Sequence, residues 1–206
     1  MSLFDRLFGA RAREYPESRL PADRQAAVNG SSAAHEAAHL LRAPTALMQL
    51  SEAEALTVVG FMRPKRLKSG TTIIRQGEAT DTGYMVLVLE GEITVETLIA
   101  RRVNPVTVTV LGPGSLIGEM ALVDGGARSA SCTASTDVAC AVLTRDALEA
   151  LTAEQPATAA KLMTAVAQRL AERLRDSGHK LQIYSQLVQT MQQEIDRLMP
   201  TPDRRL

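Results

Sequence analysis

The sequence predicts a mainly β protein, a β-roll of the jelly-roll type, with helices ahead of it and one long helix behind it. Between Gly70 and Leu143 apolar residues recur with period two, in runs bounded by glycine or polar turns. Before this region stands a capped stretch of helical period, and beyond Asp146 the helical period returns. Many short strands with glycine turns close into a roll or barrel.

A chain of 206 residues, 45% apolar and 22% charged, suits one main folded domain with extensions. The expected division is an N-terminal helical or flexible arm over 1–49, a β-roll over 50–155 and a long C-terminal helix over 156–206.

In the arm, Pro16, Pro21, Gly30 and Pro44 break short helices. Leu3, Phe4, Leu7 and Phe8 fall on one helical face, which suits packing against the protein's own domain or its dimer mate, with a membrane surface or a partner as the alternative. From Ser51 to Arg63 the stretch SEAEALTVVGFMR opens with a capping box, serine three residues ahead of Glu54, and carries Leu56, Val59 and Met62 at helical spacing. The strands follow as TTIIRQG, YMVLVLEG, EITVET, VTVTVLG, RSASCTA and VACAVL, about eight being expected in all.

From Pro156 to Leu198 there is no further proline and one glycine, Gly178. Met163, Val166, Leu170, Leu174, Ser177, Leu181, Tyr184, Val188, Met191, Ile195 and Leu198 recur at steps of three or four, the pattern of a coiled-coil seam. At a rise of 1.5 Å per residue such a helix is about 65 Å long, more than a small roll can cover, so it predicts a homodimer. Asp176-Ser177-Gly178 places a kink or hinge in the seam.

Composition excludes several classes. Lysine plus arginine and aspartate plus glutamate both number 23, so no global field draws the chain to nucleic acid or anionic lipid. Aromatics are 3% with no tryptophan, which removes the stacking platforms of single-strand binders. Cys132 and Cys140 lie in apolar strand-like runs and read as reduced, buried fillers. The N-terminus lacks the apolar core of a signal peptide, and no run reaches the ~20 apolar residues of a membrane span, so a cytoplasmic location is expected.

His35-Glu36-Ala37-Ala38-His39 satisfies the pattern of a zinc hydrolase. The third histidine, His179, is far along the chain, and the surrounding SSAAHEAAHLL is an alanine-rich amphipathic helix. Neither nucleophile-elbow nor Walker loop patterns occur. No catalytic residue, metal or cofactor is therefore expected.

The informative segment is Pro113-Gly114-Ser115-Leu116-Ile117-Gly118-Glu119-Met120-Ala121-Leu122, followed after a glycine loop by Arg128-Ser129-Ala130. A strand ends at a glycine, where backbone can approach a ligand, and a helical turn begins with free amides at its start. Arg128 returns across the loop, so its fork can meet a phosphate held there. A carboxylate beside a phosphate serves another group, and Glu119 is suited to accept from a sugar hydroxyl. The implied ligand is a ribose phosphate.

Gly118-Glu119-Met120-Ala121-Leu122 with Arg128-Ser129-Ala130 resembles the phosphate-binding cassette of the cyclic-nucleotide-binding domain family, which includes bacterial catabolite activator proteins and the regulatory subunits of cyclic-AMP kinases. The resemblance covers about residues 50–175. It implies that Glu119 takes the ribose 2′-hydroxyl and Arg128 the cyclic phosphate. The backbone at Gly118 and Ala130 and the Ser129 hydroxyl complete the cradle, with Met120 and Ala121 inside the motif. Arg169 falls where the family places an arginine near the carboxylate. Arg173 and Leu174 stand where hydroxyl residues meet adenine in the catabolite activators. The ligand expected is cyclic AMP, with cyclic GMP as the alternative.

Those relatives continue into a DNA-reading domain, whereas Met199-Pro200-Thr201-Pro202 stops the helix near Leu206, so no DNA partner is expected. The function expected is a stand-alone cyclic-nucleotide sensor that signals to a protein partner through its dimer helix. The alternatives are a dimeric scaffold with a degenerate pocket and a transcription regulator of the catabolite activator type.

Overall fold

A computed structural model describes residue 28 and residues 30–98 and 106–198. The stripe Leu3, Phe4, Leu7 and Phe8, the breaks at Pro16 and Pro21, and the closing Met199-Pro200-Thr201-Pro202 lie outside these residues. Two compact units divide the chain, Met1–Val166 and Ala167–Leu206.

The first unit opens with α1 (Ser32–Leu41), started by Ser31, whose Oγ accepts from the Ala34 amide at 3.2 Å. Its buried face is Ala33, Ala34, Ala37, Ala38 and Leu41, small side chains that let the helix backbone lie close to its neighbours. Helix α2 (Glu52–Phe61) carries the expected capping box: Ser51 Oγ accepts from the Glu54 amide at 3.3 Å, and the Ser51 amide donates to Glu54 Oε2 at 2.9 Å. It stops earlier than the sequence reading placed it. Arg63 precedes Pro64, which disfavours helical backbone, and it begins a strand instead.

Eight strands among the described residues form two antiparallel sheets. They are β1 (Arg63–Leu67), β2 (Thr72–Ile74), β3 (Tyr84–Glu90), β4 (Ile93–Thr97), β5 (Val106–Leu111), β6 (Leu116–Ile117), β7 (Ser131–Ala134) and β8 (Val138–Thr144). One sheet has the order β1-β8-β3-β6 and the other β2-β7-β4-β5. The roll is therefore confirmed, with two strands the pattern did not reveal. Strand β1 reads RPKRL, a cationic edge with one buried residue, and β6 is two residues long.

Between the sheets pack Leu67, Ile74, Val86, Val88, Ile93, Ile117, Cys132, Ala134, Val138 and Cys140. Strand β3 alternates: Val86 and Val88 enter this core, while Met85, Leu87 and Leu89 are as buried on the opposite face, where α1 contacts the strand. Covered on both faces, the strand has a continuous apolar sequence. Gly91, at φ 83°, turns β3 into β4, and a Cβ there would stand 2.3 Å from the Asp137 carbonyl oxygen.

After β6 comes the short helix α3 (Glu119–Asp124), and after β8 come α4 (Arg145–Glu154) and α5 (Pro156–Leu198). In the first unit the start of α5 buries Ala159, Leu162, Ala165 and Val166, and Lys161 pairs with Glu54 of α2. In the second unit the seam positions Leu174, Leu181, Tyr184, Val188, Met191, Ile195 and Leu198 are 50% to 78% exposed. At the expected kink or hinge α5 is unbroken and runs through Gly178 as helix. Ser177 Oγ returns to the Arg173 carbonyl at 2.8 Å, so its polar group is satisfied inside the helix, and one glycine costs only about 1 kcal/mol against so long a helix.

Candidate functional site

The site is built on the turn from β6 into α3. Gly118 is the N-cap at φ 80°, a left-handed conformation that only glycine adopts freely. A Cβ there would stand 2.7 Å from Arg128 Nη1, 3.0 Å from the Tyr84 carbonyl oxygen and 3.2 Å from Ile74 Cδ1. The glycine is thus required twice, by its backbone and by the arginine lying against it.

Arg128 is 5% exposed. Its Nη1 donates to the Gly118 carbonyl at 3.1 Å and its Nη2 to the Tyr84 carbonyl at 3.1 Å. Its guanidinium carbon lies 4.2 Å from the centroid of the Tyr84 ring, a cation–π contact. Its Nε is buried without a hydrogen-bond partner. The backbone of Arg128 is held by Glu78 and Gly77: its amide donates to the Glu78 carbonyl and its carbonyl accepts from the Gly77 amide, both at 2.9 Å. Leaving a buried donor unmade costs about 1–3 kcal/mol, so the Nε marks a direction from which an acceptor would be welcome.

Glu119, the first residue of α3, is 1% exposed. A buried carboxylate and a buried guanidinium therefore flank one left-handed glycine. Tyr84 sends its hydroxyl to the Ile73 carbonyl at 2.7 Å. Burial raises its phenol above the ordinary value, against the opposing charge of Arg128.

The other expected residues are distributed unevenly. Ser129 is exposed, Ala130 half-buried, Met120 44% exposed and Ala121 buried in α3. Arg169 and Arg173 lie on α5 beyond Val166, in the second unit. Arg128-Ser129-Ala130 precedes β7 as irregular backbone, bent at Ser129 and Ala130, and is not part of the strand the pattern extended through it. Sequence reasoning missed Tyr84, which supplies Arg128 with both a carbonyl and a ring face across 44 positions. It also missed Arg145, whose Nη2 donates to the Ala121 carbonyl at 3.3 Å. An aromatic directly after a glycine and before an apolar strand was the one available signal for Tyr84.

The histidine pair of α1 is exposed. His35 Nδ1 lies 3.2 Å from Glu52 Oε1 at the surface, and among the described residues no three His, Cys, Asp or Glu side chains gather as a metal group.

Residues 64–155 match the family model described as cyclic nucleotide-binding domain. The chain belongs to the cyclic nucleotide-binding domain family. A crystal structure of such a domain from Methylobacillus flagellatus is 30% identical with a TM-score of 0.63, covering 73% of this chain and 83% of that one. A cyclic nucleotide-gated potassium channel of Rhizobium etli is 35% identical over 99 residues, 48% of this chain and 25% of the channel. A CRP-like cAMP-activated global transcriptional regulator of Mycobacterium tuberculosis is 30% identical over 112 residues, 53% of this chain and 47% of the regulator. The chain thus spans a quarter to about half the length of these curated relatives. The cyclic nucleotide-binding domain is a ligand-binding regulatory fold and not an enzyme. No helix among the described residues is long and apolar enough to cross a membrane.

Proposed function

We infer that this protein is a cyclic-nucleotide sensor in which Arg128 takes the cyclic phosphate and Glu119 the ribose 2′-hydroxyl. The Gly118 and Ala130 backbone and the Ser129 hydroxyl complete the cradle. The observation that carries this reading is the pair of buried charges at Gly118, one of them with an unpartnered Nε. Two neutral carbonyls and a ring face compensate Arg128 only in part, and an anionic oxygen supplies what is missing. The carboxylate cannot serve that anion and instead accepts from a hydroxyl.

The exposed seam of α5 supports dimerisation with a second copy, the arrangement that would carry ligand occupancy to a protein partner in the cytoplasm. Arg169, on the same helix, is assigned near Glu119 and Arg173 near the base. Cyclic AMP is the ligand assigned first, consistent with the cAMP-activated relative.

Calorimetric titration of the full chain with cyclic AMP and cyclic GMP tests the reading. Binding should appear in the parent, and Arg128→Ala should weaken it by about 2–4 kcal/mol, the loss of a charge-assisted phosphate contact in a partly dry site. Glu119→Gln should cost less, because an amide oxygen still accepts from the ribose. Equal affinities of Arg128→Ala and the parent would refute the assignment. No binding of either nucleotide would leave Arg128 as a staple between Gly118 and Tyr84 in a dimeric scaffold. Truncation after Ser177 should reduce dimerisation in sedimentation while leaving nucleotide affinity within about tenfold, or 1.4 kcal/mol.

A further inference from the structure

Six residues make a helix that is marginal by itself, so the position of α3 depends on what grips it. Two arginines do so, one at each end. Arg128 Nη1 donates to the Gly118 carbonyl at 3.1 Å. One turn on, Arg145 Nη2 donates to the Ala121 carbonyl at 3.3 Å, an oxygen that also accepts from the Gly125 amide at 3.0 Å. A cation beside the last carbonyls of a helix is additionally favoured by the helix dipole.

The same two arginines meet again at the entry to β3. Arg128 Nη2 donates to the Tyr84 carbonyl at 3.1 Å, and the Arg145 amide donates to the neighbouring Gly83 carbonyl at 2.7 Å. The stem of Arg145 lies flat on Gly83, where an added Cβ would stand 3.1 Å from its Nε and 3.2 Å from its Cβ. Thr82, 5% exposed, sends its hydroxyl to the Gly125 carbonyl at 3.4 Å, tying this strand entry to the end of α3. Arg145 is also the first residue of α4, whose N-cap Thr144 accepts from the Ala147 amide at 3.3 Å. A displacement of Ala121 or Gly83 is therefore applied directly to the start of the helix that leaves the roll.

We propose that Arg145 is the positioning residue through which occupancy at Arg128 reaches α4. The proposal rests on the reading of Arg128 as the phosphate ligand. A cyclic phosphate competes for the donors that Arg128 gives to Gly118 and Tyr84, and an anionic acceptor makes bonds about twice as strong as a neutral carbonyl does. Ligand shifts a conformation only through a difference in interaction between two states, and here the difference is that exchange of partners. Released from Arg128, α3 and residues 83–84 reseat, and Arg145 is bonded to both.

Hydrogen exchange of the full chain, with and without saturating cyclic AMP, tests this alongside calorimetry. In the parent, ligand should change the protection of the α4 amides from Leu148 to Gln155 by at least about threefold. Arg145→Met, which keeps bulk and removes the donors, should abolish that change while cyclic AMP affinity stays within about tenfold. Arg145→Lys should restore part of it. Gly83→Ala, which displaces the arginine without removing its charge, should act like Arg145→Met, and it decides the matter if Arg145→Met does not fold. A parental α4 response in both variants overturns the coupling, as does a parent that binds cyclic AMP with α4 unchanged. A parent that binds neither cyclic AMP nor cyclic GMP overturns the site reading itself, a distinct result.

Discussion

Replacing Gly118 by alanine perturbs two things whose costs can be separated. The backbone stands at φ 80°, where an L-residue pays about 1–2 kcal/mol. The new Cβ would also meet Arg128 Nη1 at 2.7 Å, so the guanidinium must leave the Gly118 carbonyl, and a hydrogen bond from a charged group is worth about 1.5–3 kcal/mol. Gly70 is the control. Its φ is 82°, and a Cβ there meets nothing within 4 Å, so Gly70→Ala carries the backbone cost alone. Urea unfolding should show Gly70→Ala destabilised by about 1–2 kcal/mol and Gly118→Ala by about 2.5–5 kcal/mol. With a slope of about 2 kcal/mol per molar urea, the two midpoints should differ by about 1 M. Equal midpoints would refute the claim that Arg128 is pinned against Gly118. A changed slope would instead mean an altered native or denatured state.

Three further outcomes follow from single residues. Glu54 caps α2 and pairs with Lys161, and the hydrogen bond from Lys161, followed by that from the Ser51 backbone, holds its carboxyl below the ordinary 4.5. Since the folded value is the lower one, the stabilisation is full above about pH 4.5 and is lost as pH falls below that and through the lower folded value. Glu54→Gln should cost about 1 kcal/mol at pH 7, a gap that narrows below about pH 4.5; an undiminished gap at pH 3 counts against the pairing. Burial pushes the Cys140 thiol up to about 11, so it should resist iodoacetamide at pH 8 in the native protein and react after denaturation; rapid native labelling would contradict its place in the core. Gly178 stands in α5 with open space around it, and Gly178→Ala should raise the helical stability of the second unit by about 0.5–1 kcal/mol in thermal unfolding followed by circular dichroism; a loss of helix there would mean the glycine has a packing role.

The cassette shows how far sequence reaches. Gly118-Glu119 and Arg128 were legible because a glycine before a helical turn, a carboxylate and a returning arginine lie within one short segment, where spacing limits geometry. The roll was legible for a similar reason: alternation along each strand records which residues face the core, and Ser51 with Glu54 records a helix start in four residues. Strands β1 and β6 left no such record, one being a charged edge and the other two residues long. Nor could Gly178 be judged locally, because whether one glycine breaks a helix depends on the cooperative length around it.

What the sequence by itself determined was therefore the class of fold, the helix cap, the long apolar seam and the charged pair at Gly118. Tertiary structure alone decided what those charges touch. Arg128 meets the carbonyl and ring of Tyr84 across 44 positions, and Arg145 reaches Ala121 across 24, where the pairing of β3 with both β6 and β8 brings the entry of β3, the start of α3 and the end of β8 to one corner of the roll. Such contacts arise from sheet register, a collective property of many weakly patterned strands, and no local spacing encodes them.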